Sequence, residues 1–213
     1  MRLAPLCLGL LFALPAHLST SATPARAEPG LRLNEFMAGP ARDWDGSNTF
    51  SSRDDEWVEV VNTGATSLPL DGFLITDGDS LPRFALSGEL PPGAHLLVTG
   101  GQSHAWEQAN GFPAFGLSLA NNGDAVLLWR VVGAETLLVD AYAYKSHEAA
   151  ADRSVGRFPE GTGAWVIFDA LNPYTGTLQP KGNGCAPTPG NPNVCDTTPV
   201  RRMPWGRVKT IYR

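Results

Sequence analysis

The amino-acid sequence predicts an all-β fold, either a sandwich or a barrel. Short runs of apolar and β-branched residues recur through the chain, and clusters of Gly, Pro, Asn and Asp separate them. The 23 glycines and 18 prolines among 213 residues are spread along the sequence, which disfavours long helices. Helix is expected only as single turns at residues 105–108 and 148–151. Eight strands are predicted, at residues 31–36, 56–61, 68–76, 83–86, 95–99, 125–130, 137–144 and 164–168.

Turn residues bound these strands and support their order. Asn122-Gly123 lies between Leu119 and Val126, and this pair predicts a β-hairpin. Alternation of side chains is clearest in the seventh predicted strand, where every second residue from 137 to 143 lies on one face. The other turns, taken in chain order, are Asn62-Thr63-Gly64, Asp71-Gly72, Pro91-Pro92-Gly93 and Pro159-Glu160-Gly161.

The first 27 residues predict a secretory signal peptide. Arg2 supplies a short basic region, residues 6–14 form an apolar run of nine, and Ala25-Arg26-Ala27 supplies small residues at a cleavage site. The apolar run is too short to span a bilayer, so an N-terminal membrane anchor is the weaker alternative. The sequence therefore predicts a secreted or cell-surface protein that is cleaved after Ala27.

Removal of the signal peptide changes both the charge and the cysteine count. The remaining 186 residues carry 14 Lys and Arg against 21 Asp and Glu, and they contain no further apolar run of 18 residues. The negative net charge disfavours nucleic-acid binding, and the absence of a further long apolar run predicts no transmembrane span. The two remaining cysteines, Cys185 and Cys195, predict one disulfide that stabilises the fold by about 2.8 kcal/mol. A metal-binding pair is the weaker alternative, because zinc ligands are spaced more closely and come with further ligands.

Composition divides the mature chain into three parts. Residues 28–170 hold the predicted strands, residues 171–199 are rich in Pro, Gly and Asn and carry the disulfide, and residues 200–213 hold five basic residues and no acid. We expect this basic tail to pair with the acidic body, within one molecule or in weak self-association. The alternative is that it anchors the protein to an anionic surface or serves as a sorting signal. The expected partner is an extracellular macromolecule, either a protein or a polysaccharide.

Seven short motifs follow one another in a characteristic order. They are LNEF (33–36), DEWVEVVN (55–62), LDGFLITD (70–77), LPPGAH (90–95), LANNGD (119–124), SVGRFPEG (154–161) and TPGNPN (188–193). Over residues 29 to 193 this order resembles a lamin tail domain of the bacterial, secreted type. The resemblance implies an immunoglobulin-like β-sandwich without catalytic machinery, used as an interaction or architectural module. We interpret the motif residues as fold determinants and expect Arg157 to lie against Glu35 or Glu59.

The acidic segment between the first two strands predicts a calcium-binding loop. Counted from Asp43, oxygen-bearing side chains fall at positions 1, 3, 5, 7, 9 and 12, which is the ligand spacing of such a loop. Gly46 stands at the fourth position, whereas the loop requires glycine at the sixth, so a solvated acidic loop is the alternative. Calcium is the only cofactor that the sequence indicates. The predicted ligands are Asp43, Asp45, Ser47, Thr49, Asp54 and Glu56.

The sequence contains no recognisable catalytic motif. It has no GxSxG elbow and no HExxH pair, and His95, His104 and His147 have no second ligand at metal-binding spacing. We therefore predict a non-catalytic extracellular binding or structural module. Trp44 and Trp106 are expected in loops, where aromatic rings can stack on sugars. One alternative is thus a calcium-stabilised module for carbohydrate or another surface polymer, and another is an accessory to, or remnant of, a secreted hydrolase.

Overall fold

The computed structural model describes residues 30–195, so the predicted signal peptide (1–27) and the basic tail (200–213) lie outside the described residues. Strands dominate this part of the chain, and all strand pairs in its sheets are antiparallel. In chain order the elements are β1 Leu31–Met37, β2 Trp57–Asn62, β3 Leu68–Pro69, β4 Phe73–Thr76, β5 Pro82–Ala85, β6 Glu89–Leu90, β7 His95–Thr99, α1 Gly100–Asn110, β8 Gly123–Val132, β9 Glu135–Lys145, β10 Ser154–Phe158 and β11 Ala164–Phe168.

Two sheets face each other across one apolar core. The strand order is β11-β10-β1-β2-β7 in the five-stranded sheet and β5-β4-β8-β9 in the four-stranded sheet, and β3 and β6 form a short separate ribbon. Alternate side chains of β2, Val58 and Val60, meet Phe73 and Ile75 of β4 and Val126 of β8 in the core. The protein is an immunoglobulin-like β-sandwich, which confirms the predicted fold class.

A bulge in β1 decides which of its side chains enter the core. The register against β2 shifts between Leu33 and Glu35. Strict alternation would place Glu35 on the face of Leu33, but the extra residue reverses the faces, so Leu33 and Phe36 both pack in the core. Glu35 therefore lies on the outer face of the sheet, where it is nevertheless only 1% exposed.

The segment that follows β11 packs against the five-stranded sheet. The amide of Ile167 donates to the Lys181 carbonyl and the amide of Asn183 donates to the Ile167 carbonyl, both at 2.9 Å. The predicted disulfide is present, with the Cα atoms of Cys185 and Cys195 5.1 Å apart. This arrangement places residues 188–193 over the outer face of β1 and β2, where Glu35 and Glu59 accept their hydrogen bonds.

The structure corrects the prediction that helix is limited to single turns. The helix α1 has 11 residues and ends in Gly111, whose φ is 74°. Thr99 caps its start: the Thr99 hydroxyl accepts from the Gln102 amide at 3.2 Å, and the Gln102 side chain accepts from the Thr99 amide at 3.0 Å. The residues of this capping box and the terminal glycine are visible in the sequence, and both are typical of helix ends. Residues 148–151 form turns instead of the expected helical turn.

The predicted hairpin at Asn122-Gly123 is wrong. A loop, and not a strand, precedes this pair, and the Gly123 amide closes a turn to the Ala120 carbonyl at 3.1 Å. The hairpin of this region joins β8 to β9 instead, with Val132 opposite Glu135. The predicted strand 68–76 divides into β3 and β4, and β6 and β10 are strands that the sequence pattern did not predict.

Candidate functional site

Three segments meet at the end of the sandwich where β2 begins: the acidic loop 38–56, the N-terminus of α1, and the loop 111–122. The Gly100 amide donates to the Glu56 carbonyl at 2.7 Å, and the Gly101 amide donates to the Asp54 carbonyl at 3.1 Å. Glycine is required at this contact, because a Cβ on Gly100 would lie 1.9 Å from the Arg53 carbonyl oxygen. The start of α1 therefore fixes the end of the acidic loop.

Asp55 organises the acidic loop from inside. Its carboxylate is 1% exposed and accepts the backbone amides of Trp44, Asp45 and Ser51 at 2.6, 2.9 and 2.7 Å. Three charge-assisted hydrogen bonds hold this loop in one conformation. Sequence spacing assigned no role to Asp55, because the calcium-loop pattern counted from Asp43 places its last ligand at position 12, which is Asp54.

The structure brings two of the six predicted calcium ligands together. Carboxylate oxygens of Asp43 and Asp45 lie within 4.8 Å of one another and of an oxygen of Asp55. Both Asp43 oxygens already accept backbone amides, from Gly46 at 2.8 Å and from Asn48 at 2.7 Å. Asp55, and not the predicted Asp54 or Glu56, is thus the third member of this acidic cluster.

The other four predicted ligands have different surroundings. The Ser47 hydroxyl donates to the Thr49 carbonyl at 3.0 Å, and both residues are exposed. Asp54 pairs with Arg53 at 2.7 Å, and this partner holds the pKa of the Asp54 carboxyl below its usual range. Glu56 belongs to a neighbouring groove. Calcium binding by the six predicted residues stays a prediction.

That groove lies between the end of the acidic loop and the loop 111–122. Its volume is about 420 Å³, a size that can take a small ligand or one long side chain. We call it the Glu56 groove. Its lining residues are Ser52, Arg53, Glu56, Phe115, Ser118, Leu119, Ala120 and Asn121.

Glu56 supplies a buried carboxyl group to this groove. The side chain is 6% exposed and accepts the Leu119 amide at 3.2 Å. Burial raises the pKa of Glu56 to about 8, against the lowering effect of hydrogen bonds from the backbone of Leu119 and Ser118. The charges of Asp124 and Asp77 raise this pKa further. The carboxyl group is therefore largely protonated near neutral pH and gains most from a cation placed beside it.

An exposed aromatic ring forms the rim of the Glu56 groove. Phe115 is 56% exposed, and the guanidinium of Arg83 lies 5.8 Å from its ring centre. Arg83 itself is buried between Asp77 and Glu107, at 2.7 and 3.1 Å, and so fixes α1 to β5. Sequence reasoning missed Phe115, because nothing in the pattern distinguishes it from a core aromatic residue.

A second buried polar group lies on the outer face of β1 and β2. Glu35 accepts the Ser154 hydroxyl, and it accepts the amide and hydroxyl of Thr188 at 3.1 and 2.5 Å. Glu59 accepts the Asn34 side chain at 2.7 Å and the Gly190 amide at 2.6 Å. We call this set the polar junction; its members are Asn34, Glu35, Glu59, Ser154, Thr188, Gly190 and Asn193.

The polar junction joins segments that are far apart in sequence. The Asn193 side chain donates from its Nδ2 to the Arg157 carbonyl at 2.9 Å, and its Oδ1 accepts the Thr188 hydroxyl at 3.0 Å. Burial raises the pKa of Glu35 to about 7. Burial and the Glu35 charge raise the pKa of Glu59 to about 8. Motifs LNEF, DEWVEVVN, SVGRFPEG and TPGNPN all contribute, which supports their interpretation as fold determinants.

The expected contact of Arg157 with Glu35 or Glu59 is wrong. Gly156 pairs with Glu35 across β10 and β1, so the next side chain points to the opposite face of the sheet. Arg157 there binds Asp140 with two hydrogen bonds, at 3.0 and 3.1 Å, and lies over Trp165. Gly156 instead leaves room for the junction, since a Cβ would lie 2.9 Å from the Glu35 side chain.

The two candidate sugar-stacking tryptophans have structural contacts. Trp44 donates its indole N–H to Asp152 at 2.8 Å and packs against Trp57. Trp106 lies in α1, and not in the loop expected for it, and stacks on Phe112 with the ring centres 5.4 Å apart. Neither ring lines the Glu56 groove.

Within residues 30–195, no histidine lies beside Glu56 in the groove, so the two side chains do not form a paired site there. His95 lies 2.9 Å from the Glu160 carboxylate without hydrogen-bond geometry, and His104 and His147 approach their nearest carboxylates at 3.9 and 4.0 Å. None of the three lines the groove. No helix within residues 30–195 combines the length and the apolar character that a bilayer crossing needs.

By its architecture, the protein is an immunoglobulin-like sandwich with a buried polar junction. Comparison with protein families then finds a match to the model of the lamin tail domain over residues 24–146, more than half of the chain. The chain belongs to the lamin tail domain family, a non-catalytic immunoglobulin-like family, as the motifs predicted. Searches of curated proteins and of solved structures found no match.

Proposed function

We propose that the protein is a secreted, non-catalytic binding module and that the Glu56 groove is its ligand-contacting surface. The observation that carries this proposal is the combination of a buried carboxyl group and an exposed aromatic ring in one groove of about 420 Å³. Binding sites combine apolar contact surface with well-placed polar groups, and this groove offers Phe115 for the first and Glu56 for the second. The disulfide between Cys185 and Cys195 supports an oxidising, extracellular location.

A rigid frame supports the groove, as a binding surface requires. The salt bridges of Arg83 hold α1 in place, and the bonds of Gly100 and Gly101 hold the acidic loop. A ligand would then meet preformed groups, and little ordering entropy would oppose binding. The lamin tail domain family is non-catalytic, which supports the proposal that the whole protein binds without chemical conversion.

The test uses the exposed ring of the groove and a matched exposed ring elsewhere. Phe115→Ala removes the rim, whereas Phe50→Ala removes a ring that is 51% exposed in the acidic loop. Purified extracellular polysaccharides and extracellular proteins are immobilised, and retention of the secreted protein is measured for wild type and both variants. We expect retention on at least one polymer that falls in Phe115→Ala and not in Phe50→Ala. Absence of retention on every polymer, or equal retention by all three proteins, would contradict the proposal.

We propose as a second candidate that calcium stabilises the acidic loop. The supporting observation is the approach of Asp43, Asp45 and Asp55 oxygens to within 4.8 Å. One lone-pair position on the Asp55 carboxylate remains after its three amide donors, and carboxylates provide the oxygen ligands that calcium prefers. Bound calcium would also offset repulsion among the three charges.

Thermal unfolding decides this second candidate. We expect millimolar calcium to raise the melting temperature, a chelator to reverse the change, and Asp45→Asn to abolish it. Glu89→Gln, an exposed substitution on β6, is the control and should respond to calcium as wild type does. A melting temperature that is insensitive to calcium would exclude a stabilising calcium site.

A further inference from the structure

We propose that two copies of this chain associate through the outer face of the four-stranded sheet. A two-fold axis relates the copies, and their strands run antiparallel to each other across the interface. The proposal is independent of the Glu56 groove and adds self-association to the proposed function. Side-chain direction, shape, charge and area each support a second copy as the partner on this face.

Alternation along the strands determines which side chains form this outer face. Val126 and Leu128 of β8 belong to the core. Leu127 and Trp129 therefore point away from the core. Trp129 lies opposite Leu138 of β9, which shares its face. We call the outward side chains of β4, β5, β8 and β9 the apolar face; its large members are Leu74, Leu127, Trp129, Val131 and Leu138.

The apolar face consists of apolar residues and threonine along these strands, apart from Lys145 at the end of β9. An antiparallel sheet with one solvated face usually alternates apolar and polar residues instead. Leu138 is 53% exposed and Val131 is 37% exposed. Trp129 satisfies its indole N–H within the sheet, because it donates to the Thr76 hydroxyl at 3.0 Å. The apolar face is thus an exposed apolar patch, and such patches are typical of interaction surfaces.

Side-chain size changes from one end of the apolar face to the other. Ala125 lies opposite Ala143 at the end where β8 begins. Trp129 lies opposite Leu138 towards the turn between β8 and β9. Two facing sheets pack about 10 Å apart, and they interdigitate best when large side chains meet small ones. A two-fold axis between the faces, directed across the strands, places the large end of each copy on the small end of the other.

Charge favours the same arrangement. Residues 30–195 carry 19 Asp and Glu against 9 Lys and Arg, so two copies repel each other over most of their surface. The apolar face has no acidic member. Glu135 and Lys145 lie at the two ends of β9, and both are exposed. Antiparallel packing brings Lys145 of each copy towards Glu135 of the other, whereas parallel packing would bring like charges together.

The area of the apolar face fits a weak dimer. Its four strands contain 4, 4, 10 and 11 residues. With a rise of about 3.3 Å per residue and a spacing of about 4.8 Å between strands, they cover about 450 Å² per copy. The pair would bury about 900 Å², an area typical of transient complexes and smaller than that of stable ones. We therefore expect a dissociation constant of about 100 µM.

Sedimentation equilibrium of the full secreted protein, from about 10 µM to about 1 mM, measures this association. We expect an equilibrium between monomer and dimer that persists in about 1 M NaCl, because salt screens charges and does not weaken apolar contact. A monomer at every concentration would overturn the proposal. Association that disappears in salt would also overturn it, because pairing of the basic tail with the acidic body predicts that result.

Two matched leucine variants test the location of the interface. Leu138→Glu places like charges in both halves of the interface, so we expect association at least about tenfold weaker. Leu178→Glu is the control, because Leu178 is 54% exposed and lies outside the four strands. Both leucines are exposed, so both variants should remain folded, which circular dichroism verifies. Equal effects of the two substitutions, or unchanged association of Leu138→Glu, would overturn the proposal.

Charge reversal tests the antiparallel arrangement. Lys145→Glu should weaken association by about threefold to tenfold, and the added substitution Glu135→Lys should restore it. Lys181→Glu changes the net charge by the same amount at an exposed position outside the sheet, and it should have a smaller effect than Lys145→Glu. If Glu135→Lys does not restore association, or if both lysine variants weaken it equally, the antiparallel arrangement is overturned.

Discussion

Protonation of Glu35 makes the stability of this protein depend on pH in an unusual direction. Glu35 lies at the centre of the polar junction, where the Ser154 hydroxyl and the amide and hydroxyl of Thr188 surround its carboxyl group. We expect the protein to be more stable at about pH 5.5 than at about pH 8.5. Most proteins that depend on ionised carboxylates show the opposite slope across the acid range.

The magnitude follows from the raised pKa. Burial raises the pKa of Glu35 from 4.5 to about 7, so the folded protein keeps a proton that the unfolded chain has already lost. The resulting stabilisation is complete below pH 4.5 and is lost as the pH rises through about 7. The full shift corresponds to about 3 kcal/mol in the free energy of unfolding, of which Glu35 loses about 2 kcal/mol above pH 5.5. Glu59, whose pKa is raised to about 8, adds a loss in the same direction and extends the window upward.

Carboxyl groups with lowered pKa values do not mask the effect. The pKa of Asp152 lies below 3.8, so its stabilisation is present above that pH and is lost only in stronger acid. The interval from about pH 5.5 to about pH 8.5 therefore excludes these groups and contains the buried acids with raised pKa values, which are Glu35, Glu56, Glu59 and Asp77.

Urea unfolding followed by tryptophan fluorescence measures this slope. Wild type, Glu35→Gln and the exposed control Glu89→Gln are compared across the interval. Glu35→Gln cannot titrate, so its stability should fall less with pH than that of wild type, whereas the control should follow wild type. The reasoning is refuted if wild-type stability is constant or rises with pH, or if Glu35→Gln falls as steeply as wild type.

Three further predictions concern packing around the junction and the helix. Gly156→Ala should lower the free energy of unfolding by about 1–3 kcal/mol, because the added Cβ would lie 2.9 Å from three neighbouring atoms. Gly101→Ala is the control and should not destabilise the protein, because the nearest atom to its added Cβ lies 3.5 Å away. Equal effects of the two substitutions would contradict the argument. Reduction of the disulfide should cost about 3 kcal/mol in the free energy of unfolding and remove hydrogen-exchange protection from residues 185–195 before the core loses it; unchanged protection there would contradict a stabilising role of the disulfide in this segment. Arg83→Met should lower the free energy of unfolding by about 3–5 kcal/mol in thermal unfolding, because the buried carboxylates of Asp77 and Glu107 lose their partner; a loss below about 1 kcal/mol would contradict this argument.

Local patterns predicted most strands and failed where the signal is ambiguous. The strand His95–Thr99 and the strand Ala164–Phe168 lie where their apolar runs predicted them. Asn122-Gly123 is a strong turn signal, but a turn does not show whether strands pair on both of its sides. The helix α1 was underestimated although its caps were visible, because its apolar pattern is weak and the prolines nearby favoured loops.

At the candidate site, the difference between what the sequence predicts and what the fold determines is larger. Spacing placed Asp54 among the predicted calcium ligands, and Glu56 was added as a nearby glutamate. The folded loop instead turns Asp55 inward, and Glu56 lines a separate groove. A fixed ligand spacing along the chain cannot predict which of these side chains turn inward, because the conformation of an irregular loop is set by its hydrogen bonds. Phe115 became a candidate contact only through its exposure at the rim.

The sequence by itself determined the class of fold, the family and the disulfide pair, because turn residues, ordered motifs and cysteine number are local or countable properties. Only the tertiary structure decided that four of those motifs converge on one buried junction and that Arg157 turns away from it. The reason is the bulge between Leu33 and Glu35: one extra residue exchanges the two faces of β1, and pairing with distant strands then determines what each side chain meets.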